Sequence, residues 1–201
     1  MRKLFILFLF LPFVCYPQLK PSEKRFELSP SESKVIWEGK DFGGAGGHEG
    51  TLQLTSGYLL IVNNEVRKGD FEIDMKSIHN TDQRDEKSRR ELEEHLRSED
   101  FFSVAQFPKA FFTITKVTPI PFEPDQYTIA GFLGIKGITN VISFPATITL
   151  SDQIARSKAD VVFDRTKWNV TYQSKTIFSN LKEGILSDDV KISVDLVFKS
   201  K

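Results

Sequence analysis

Three histidines and a few acidic pairs are the residues of this chain that could carry acid–base or metal chemistry. His48, His79 and His95 never stand four apart on a helix, the spacing that lets two imidazoles hold one zinc ion. The pairs Glu93-Glu94 and Asp188-Asp189 are typical of a solvated helix face and of a turn. The sequence therefore predicts no metal, no cofactor and no paired-carboxylate catalyst.

The pattern of a catalytic nucleophile is also absent. No Gly-x-Ser-x-Gly elbow occurs, and the single cysteine, Cys15, lies in the leader. The stretch DFGGAGGHEG, residues 41–50, has the glycines of a phosphate-binding loop, but strand-like residues 51–54 follow it where a helix N-terminus is needed. We interpret this stretch as a mobile hairpin loop at a barrel mouth. One enzymatic alternative stays open, with His95 as a general base beside Asp100.

The charge balance excludes one class of partner. Lys plus Arg equals Asp plus Glu at 27 each, and the cations form no stripe. Because attraction to phosphates dominates nucleic-acid binding, we predict no nucleic-acid partner. The sequence is compatible with a homodimer.

Residues 1–20 have the pattern of an export signal. Two early cations precede an apolar run, residues 4–14, that is too short to span a bilayer. Cys15 is either the acylated cysteine of a lipoprotein leader or is removed with the signal. We therefore predict a periplasmic or secreted protein without disulfides, which contacts membranes transiently or through an acylated Cys15.

The elements that must position any site are mainly strands. After a polar lead, residues 21–33, apolar and polar residues alternate with the period of a strand that has one buried face. Eight or nine strands follow within a domain of residues 34–201. They are predicted at 34–38, 50–55, 58–63, 66–78, 110–117, 127–135, 138–150, 159–163 and 192–198.

Turn and helix signals interrupt the strands. Thr55-Ser56-Gly57 and Asn63-Asn64 predict turns. Leu92 and Leu96 stand four apart among charged residues, which predicts one amphipathic helix over residues 81–97, capped by Thr81 or Asp82.

Closure into a barrel is the economical arrangement for so many antiparallel strands, because an open sheet would leave two exposed edges. Two of the predicted strands are thirteen residues long, which corresponds to roughly 40 Å at about 3.3 Å per residue. The fold class is therefore all-β, an extended antiparallel barrel of about eight strands around a tube, with one inserted helix.

Five phenylalanines crowd the junction between the helix and the next strand, namely Phe101, Phe102, Phe107, Phe111 and Phe112. Two interpretations stay open. They fill the core and lock the helix onto the sheet, or some of them line an apolar cavity or its lid.

These motifs resemble a known family. HLRSEDFF (95–102), then Phe107-Pro108 and FFTIT (111–115), resemble the signature of the YceI-like family of exported lipid-binding proteins. GGHEG (46–50), FEIDMKSIHNTD (71–82), FDRTKWNVTYQS (163–174) and LSDDVKISVDLVF (186–198) complete the order of motifs. The stretch YTIAGFLGIKGITNVISFPATI (127–148) departs from the family's GDLTIKG at Phe132 and Gly134, which we expect to alter the turn or one end of the pocket.

The resemblance implies an extended eight-stranded lipocalin-like barrel that holds a polyisoprenoid chain or a related isoprenoid lipid or quinone. The alternative is a structural or stress-related envelope module whose interior is filled by its own phenylalanines. Only Phe5, Phe8, Phe10 and Phe13 of the 18 phenylalanines lie in the leader, so such a plug is feasible.

The alternating faces select the side chains that we expect around the ligand. The apolar candidates are Trp37, Phe71, Ile73, Met75, Phe101, Phe102, Phe112, Ile114, Phe144, Ile148, Phe163 and Trp168. The head group of such a lipid needs hydrogen-bond donors, for which the candidates are His48, His95, Arg97 and Arg165.

Overall fold

A computed structural model describes residues 22–201. The predicted export signal and Cys15 lie outside the described residues. The strands are β1 (Glu23–Leu28), β2 (Lys34–Asp41), β3 (Gly47–Val62), β4 (Glu65–Asn80), β5 (Lys109–Pro119), β6 (Gln126–Ile135), β7 (Ile138–Leu150), β8 (Ile154–Asp164) and β9 (Leu186–Ser200). One α-helix, α1 (Glu86–Arg97), follows β4, and two short 3-10 helices lie at Pro30–Glu32 and Arg165–Trp168.

The sheet closes on itself. From β3 to β9 each strand pairs antiparallel with the next strand along the chain. β2 then bridges β9 and residues 47–52 of β3, whereas β1 bridges the end of β9 and residues 58–62 of β3. Since β1 and β2 share one position in the wall, nine strands make an eight-stranded barrel, which confirms the predicted fold class.

The polar lead was predicted to lie outside the barrel, and this prediction is wrong. Residues 23–28 form β1, whose Phe26 is almost fully buried in the core. Three charged residues precede Phe26 and leave only a short alternation, too weak to indicate a strand. β1 forms because β3 and β9 extend beyond the end of β2 and offer it two edges.

The turn predicted at residues 55–57 is a bend within one sixteen-residue strand, β3. The register with β4 shifts between Leu54 and Ser56, as at a β-bulge. Bulges and turns both favour glycine and small polar residues, so the sequence signal is the same for both. Here the bulge bends a long strand around the barrel.

The helix begins later than the predicted residue 81. Its N-cap is Asp85, whose carboxylate accepts a hydrogen bond from the Ser88 N–H at 2.8 Å. Residues 80–83 instead bond to β3 and to each other, for example through the Thr81 N–H to the Glu49 carbonyl at 3.0 Å. Within residues 22–201, no helix has both the length and the apolar character needed to cross a membrane.

Glu93 fastens α1 to β4. Its carboxylate lies 2.8 Å from His79 Nδ1, accepts the Asn80 N–H at 3.0 Å and lies 3.4 Å from the Arg97 guanidinium. Burial is the largest single influence on the pKa of Glu93 and raises it. The hydrogen bonds from Asn80 and His79, with the charge of Arg97, outweigh burial and hold the pKa below the ordinary 4.5.

We therefore expect Glu93 to make stability depend on acid pH. Because its pKa is depressed by folding, its contribution is present above the ordinary value of 4.5 and is lost as the pH falls through the folded value. Urea unfolding between about pH 6 and pH 3 should show a smaller acid-induced loss in Glu93→Gln than in the wild type. Glu91→Gln, on the solvent side of α1, is the matched control. Equal acid slopes for wild type and Glu93→Gln would contradict this role.

Candidate functional site: an apolar tube with a polar mouth

The barrel encloses a cavity of about 440 Å³, within the range of small-molecule sites. Inward-facing side chains of β2 to β9 line it, and Leu92 and Leu96 of α1 line one end. Apart from Ser157, the polar lining residues are confined to the end formed by the β2–β3 loop, α1 and the segment that follows β8. The site is therefore an apolar tube with one polar mouth.

The predicted apolar residues converge on this tube. All of them except Trp168 line the cavity: Trp37, Phe71, Ile73, Met75, Phe101, Phe102, Phe112, Ile114, Phe144, Ile148 and Phe163. Alternation places the strand residues there because successive side chains of a strand point to opposite faces, whereas Phe101 and Phe102 lie in the connection between α1 and β5. That they contact a ligand remains a prediction.

Trp168 lies elsewhere. It belongs to the second 3-10 helix, where its indole is 1% exposed, donates a hydrogen bond to the Leu133 carbonyl at 3.0 Å and packs edge-on against Phe163. The side chain anchors this helix onto β6, behind the cavity wall. The expectation that it lines the tube is therefore replaced by a structural role.

Four rings run through the tube from β9 to β7. Phe71 lies 6.0 Å from Phe198 and 6.3 Å from Phe112, and Phe112 lies 5.4 Å from Phe144, all between ring centroids. Gly131 on β6 makes room for the Phe112 ring, because a Cβ there would approach that ring to 2.6 Å. The rings therefore lean on the wall, which leaves the bore open.

The five phenylalanines of the helix–strand junction occupy two different environments. Phe101, Phe102 and Phe112 line the cavity. Phe107 and Phe111 instead cover glycines of the β6–β7 hairpin, since a Cβ at Gly137 or Gly134 would meet their rings at 2.8 Å and 2.1 Å. The cavity interpretation therefore describes three of the five rings, whereas Phe111 is 44% exposed on the outer face of β5 and does not fill the core.

Phe132 and Gly134, the departures from the family pattern, belong to the outer face of β6. Ile129, Leu133 and Ile135 line the tube, so the residues that alternate with them point outwards. Phe132 is half-exposed. These positions alter the outer surface, and the expectation that they change the pocket is wrong.

The mouth contains three of the four predicted head-group residues. His48, His95 and Arg165 line it, together with Lys40 of β2 and Tyr172 of the segment after β8. His95 packs edge-on against Tyr172 at 4.6 Å and against Phe101 at 5.0 Å between centroids. These aromatic contacts hold the end of α1 against the rim.

Each basic group that lines the mouth has a carboxylate partner. His48 lies 3.1 Å from Asp82, His95 lies 3.4 Å from Asp100, and Arg165 lies 3.4 Å from Asp188. Lys40 lies 4.0 Å from Glu38. Burial raises the pKa of Asp82, but the hydrogen bonds from Asn80 and His48 outweigh burial, so the pKa is lowered overall. The mouth is thus polar, and each of its basic groups already has an acidic partner.

Arg165 is the most buried of these groups, with a side chain 4% exposed. It donates through Nε to the Ser187 carbonyl at 3.0 Å and through Nη1 to the Val170 carbonyl at 2.8 Å. Burial lowers its pKa, against the opposing charges of Asp188 and Asp164. Arg165 therefore joins the start of β9 to the segment that forms one side of the mouth.

Arg97, the fourth candidate, does not reach the mouth. Its guanidinium donates to the Ile78 carbonyl and pairs with Glu93, so it ties the end of α1 to β4. Within residues 22–201, no group of three His, Cys, Asp or Glu side chains is arranged to hold a metal ion.

Several residues that line the cavity were not among those predicted from the sequence. Tyr172 lies in an irregular segment without periodicity, so no pattern indicates its direction. Ala146 and Ala159 do follow the inward phase of β7 and β8, and that phase could have identified them. Their small side chains keep the middle of the tube wide.

An eight-stranded antiparallel barrel around an apolar tube defines a class of small-molecule-binding folds. A model of the YceI-like domain matches residues 26–198 of the chain. The chain belongs to the YceI-like family.

Curated relatives match over a limited region. A UPF0312 protein of Yersinia enterocolitica is 36% identical over 59 residues, and Protein YceI of Salmonella arizonae is 40% identical over 58 residues. Each match covers 29% of this chain and 29% of the relative's length.

Two solved structures share the fold over most of the chain. BcnA of Burkholderia cenocepacia has a TM-score of 0.65 at 18% identity, with 85% of this chain and 98% of that one covered. A polyisoprenoid binding domain from Saccharophagus degradans, implicated in plant cell wall breakdown, has a TM-score of 0.59 at 14% identity, with 90% and 100% covered. At these identities the likeness supports the fold alone.

Proposed function

We propose that this protein holds a long apolar molecule in the tube, an isoprenoid lipid or quinone, and carries or sequesters it in the cell envelope without covalent chemistry. The observation that carries the proposal is the continuous apolar lining of a 440 Å³ cavity that opens at a polar end. A barrel plugged by its own phenylalanines would lack this space. The Saccharophagus polyisoprenoid-binding domain with the same fold supports the choice of ligand class.

Burial of the ligand's hydrocarbon chain supplies the binding free energy. Each methylene removed from water contributes about 0.8 kcal/mol, so a five-carbon isoprene unit contributes on the order of 3 kcal/mol before ordering losses. This driving force has no direction, so the length and bore of the tube set which chains fit.

The mouth favours an uncharged head group over a pyrophosphate. Every basic lining group already faces a carboxylate within 4.0 Å, so an incoming dianion would meet Asp82, Asp100 and Asp188 as well as the cations. A hydroxyl or quinone carbonyl needs only one or two hydrogen-bond donors.

Extraction of the purified protein tests this proposal. The chain is purified from its native host, extracted with organic solvent and analysed by mass spectrometry, and a stoichiometric isoprenoid or quinone is expected. The ligand-free protein should bind geranylgeraniol more tightly than geranylgeranyl pyrophosphate. An empty extract together with no uptake of geranylgeraniol would contradict the proposal.

Two further readouts address the absence of chemistry and the location. Geranylgeraniol should be recovered intact after incubation with the protein, whereas a change in its mass would favour the His95–Asp100 enzyme hypothesis. Fractionation of the native host should find the chain in the envelope or medium. A cytosolic pool alone would contradict the proposed export.

A further inference from the structure

The barrel wall is not paired along its whole circumference. β7 and β8 pair only from Ala146↔Ala159 to Leu150↔Ala155. Beyond this point β7 remains paired with β6 as far as Ile138, and β8 remains paired with β9 as far as Asp164. Residues 140–145 and 160–164 therefore lie on facing strands without a ladder between them. We call this stretch the seam.

Pro145 explains where the seam begins. Lys136 and Gly137 both have positive φ and form the two-residue turn between β6 and β7, so the flanking Ile135 and Ile138 exchange both backbone bonds. From this turn onwards, the backbone N–H and C=O groups of successive β7 residues point alternately to the two neighbouring strands. Even-numbered residues bond to β6 and odd-numbered residues face β8. Pro145 faces β8 and has no N–H, so the next rung, with Asp160, cannot form as a normal pair.

The seam has apolar side chains on the inside and, on the outside, two exposed valines beside the polar Ser143 and Asp160. Val141 on β7 is 67% exposed and Val162 on β8 is 59% exposed, and both point outwards. Behind them Ile142 and Phe144 on β7, with Val161 and Phe163 on β8, line the tube. At its far end a hydrogen bond from the Asn140 side chain to the Lys167 carbonyl, 2.9 Å long, bounds the seam.

The wall is also thin at the start of the seam. An outer hollow of about 450 Å³ lies over β7 and β8 and includes Pro145 and Asp160. Ala146, Ala159 and Val194 line both this hollow and the tube. At Ala146 and Ala159, only small side chains separate the outer hollow from the tube.

We propose that the seam is a lateral opening through which the apolar chain passes between the outside and the tube. This inference rests on the proposed function. Widening the seam breaks no ladder bonds, because residues 140–145 and 160–164 share none. Passage through the polar mouth would instead draw the whole apolar ligand past a ring of polar and charged side chains. The five residues 141–145 give the opening a length of roughly 16 Å at about 3.3 Å per residue.

A disulfide across the seam tests this opening. Continuing the β7–β8 register places Ser143 opposite Val162, both on the outer face. The double variant Ser143→Cys/Val162→Cys is made in the full chain with Cys15→Ser, which removes the only native cysteine. Geranylgeraniol uptake, followed by tryptophan fluorescence, and its release to phosphatidylcholine vesicles are measured with the pair oxidised and reduced. If oxidation leaves both thiols free, a short bis-maleimide joins them.

We expect cross-linking to slow uptake and release together, each by about tenfold or more, with Kd unchanged, because a blocked route alters both rates equally. The matched control is Thr149→Cys/Arg156→Cys, a pair on the same strands and outer face but within the paired ladder. It should leave the rates unchanged. Unchanged rates in the cross-linked seam variant would overturn the lateral opening at the seam, whereas no binding by the reduced protein would contradict the proposed function instead.

Discussion

Replacement of Ala159 by phenylalanine is expected to weaken the binding of long isoprenoids about a hundredfold while the barrel stays folded. Ala159 lies in the middle of β8, points into the tube and pairs with Ala146 on one side and Val194 on the other. The added ring enters space that is open in the wild type, so the strain of overpacking a filled core is largely avoided. The tube is divided where its side chains are smallest.

The size of this effect follows from the part of the chain that is displaced. Excluding one five-carbon unit removes on the order of 3 kcal/mol, which corresponds to about a hundredfold weaker binding. A short prenol such as geraniol should be affected much less, because it fits in one half of the tube. Titration of geranylgeraniol and geraniol against tryptophan fluorescence gives both affinities.

Arg156→Phe is the matched control for this variant. Arg156 lies on the same strand three positions earlier, is exposed and points to solvent. It should leave both affinities close to the wild-type values. If Ala159→Phe binds geranylgeraniol as tightly as the control, the ligand does not occupy the middle of the barrel.

The wall of the tube is largely predictable from the sequence, and the reason is geometric. In a strand the side-chain period is two, so one buried residue such as Met75 fixes the direction of Phe71 and Ile73. All three line the cavity. Closure into a barrel then turns every buried face towards the same interior, which is why residues far apart in the chain meet there.

Residues outside the strands are predicted less well, because no period fixes their direction. Tryptophan and arginine are residue types expected at a lipid site. Trp168, however, lies on a 3-10 helix that places its indole behind the wall, and Arg97 is held on α1 by its ion pair with Glu93. Tyr172, which completes the mouth, lies in an irregular segment. Types alone identify such residues as candidates, and only tertiary contacts decide among them.

Replacement of Arg165 by methionine is expected to lower the free energy of unfolding by roughly 2–4 kcal/mol. The change leaves the Val170 and Ser187 carbonyls without their donors and leaves Asp188, 20% exposed, without its cation. Methionine retains much of the apolar volume, so the loss reports the polar contacts. Urea denaturation at neutral pH measures it.

Lys167→Met is the control, because Lys167 belongs to the same 3-10 helix and is exposed. It should change stability by less than about 0.5 kcal/mol, the usual range for surface substitutions. A similarly small loss in Arg165→Met would show that the mouth segment is held by other contacts.

The same variant separates a structural role of Arg165 from a role in ligand binding. If Arg165 acts only as a clamp, Arg165→Met binds geranylgeraniol and the matched hydrocarbon without the hydroxyl in the same ratio as the wild type. If it donates to the head group, the preference for the alcohol falls. Three of its donors are already committed to Val170, Ser187 and Asp188. We therefore expect the stability to fall and the ratio to stay, which makes Arg165 the residue that shapes the mouth.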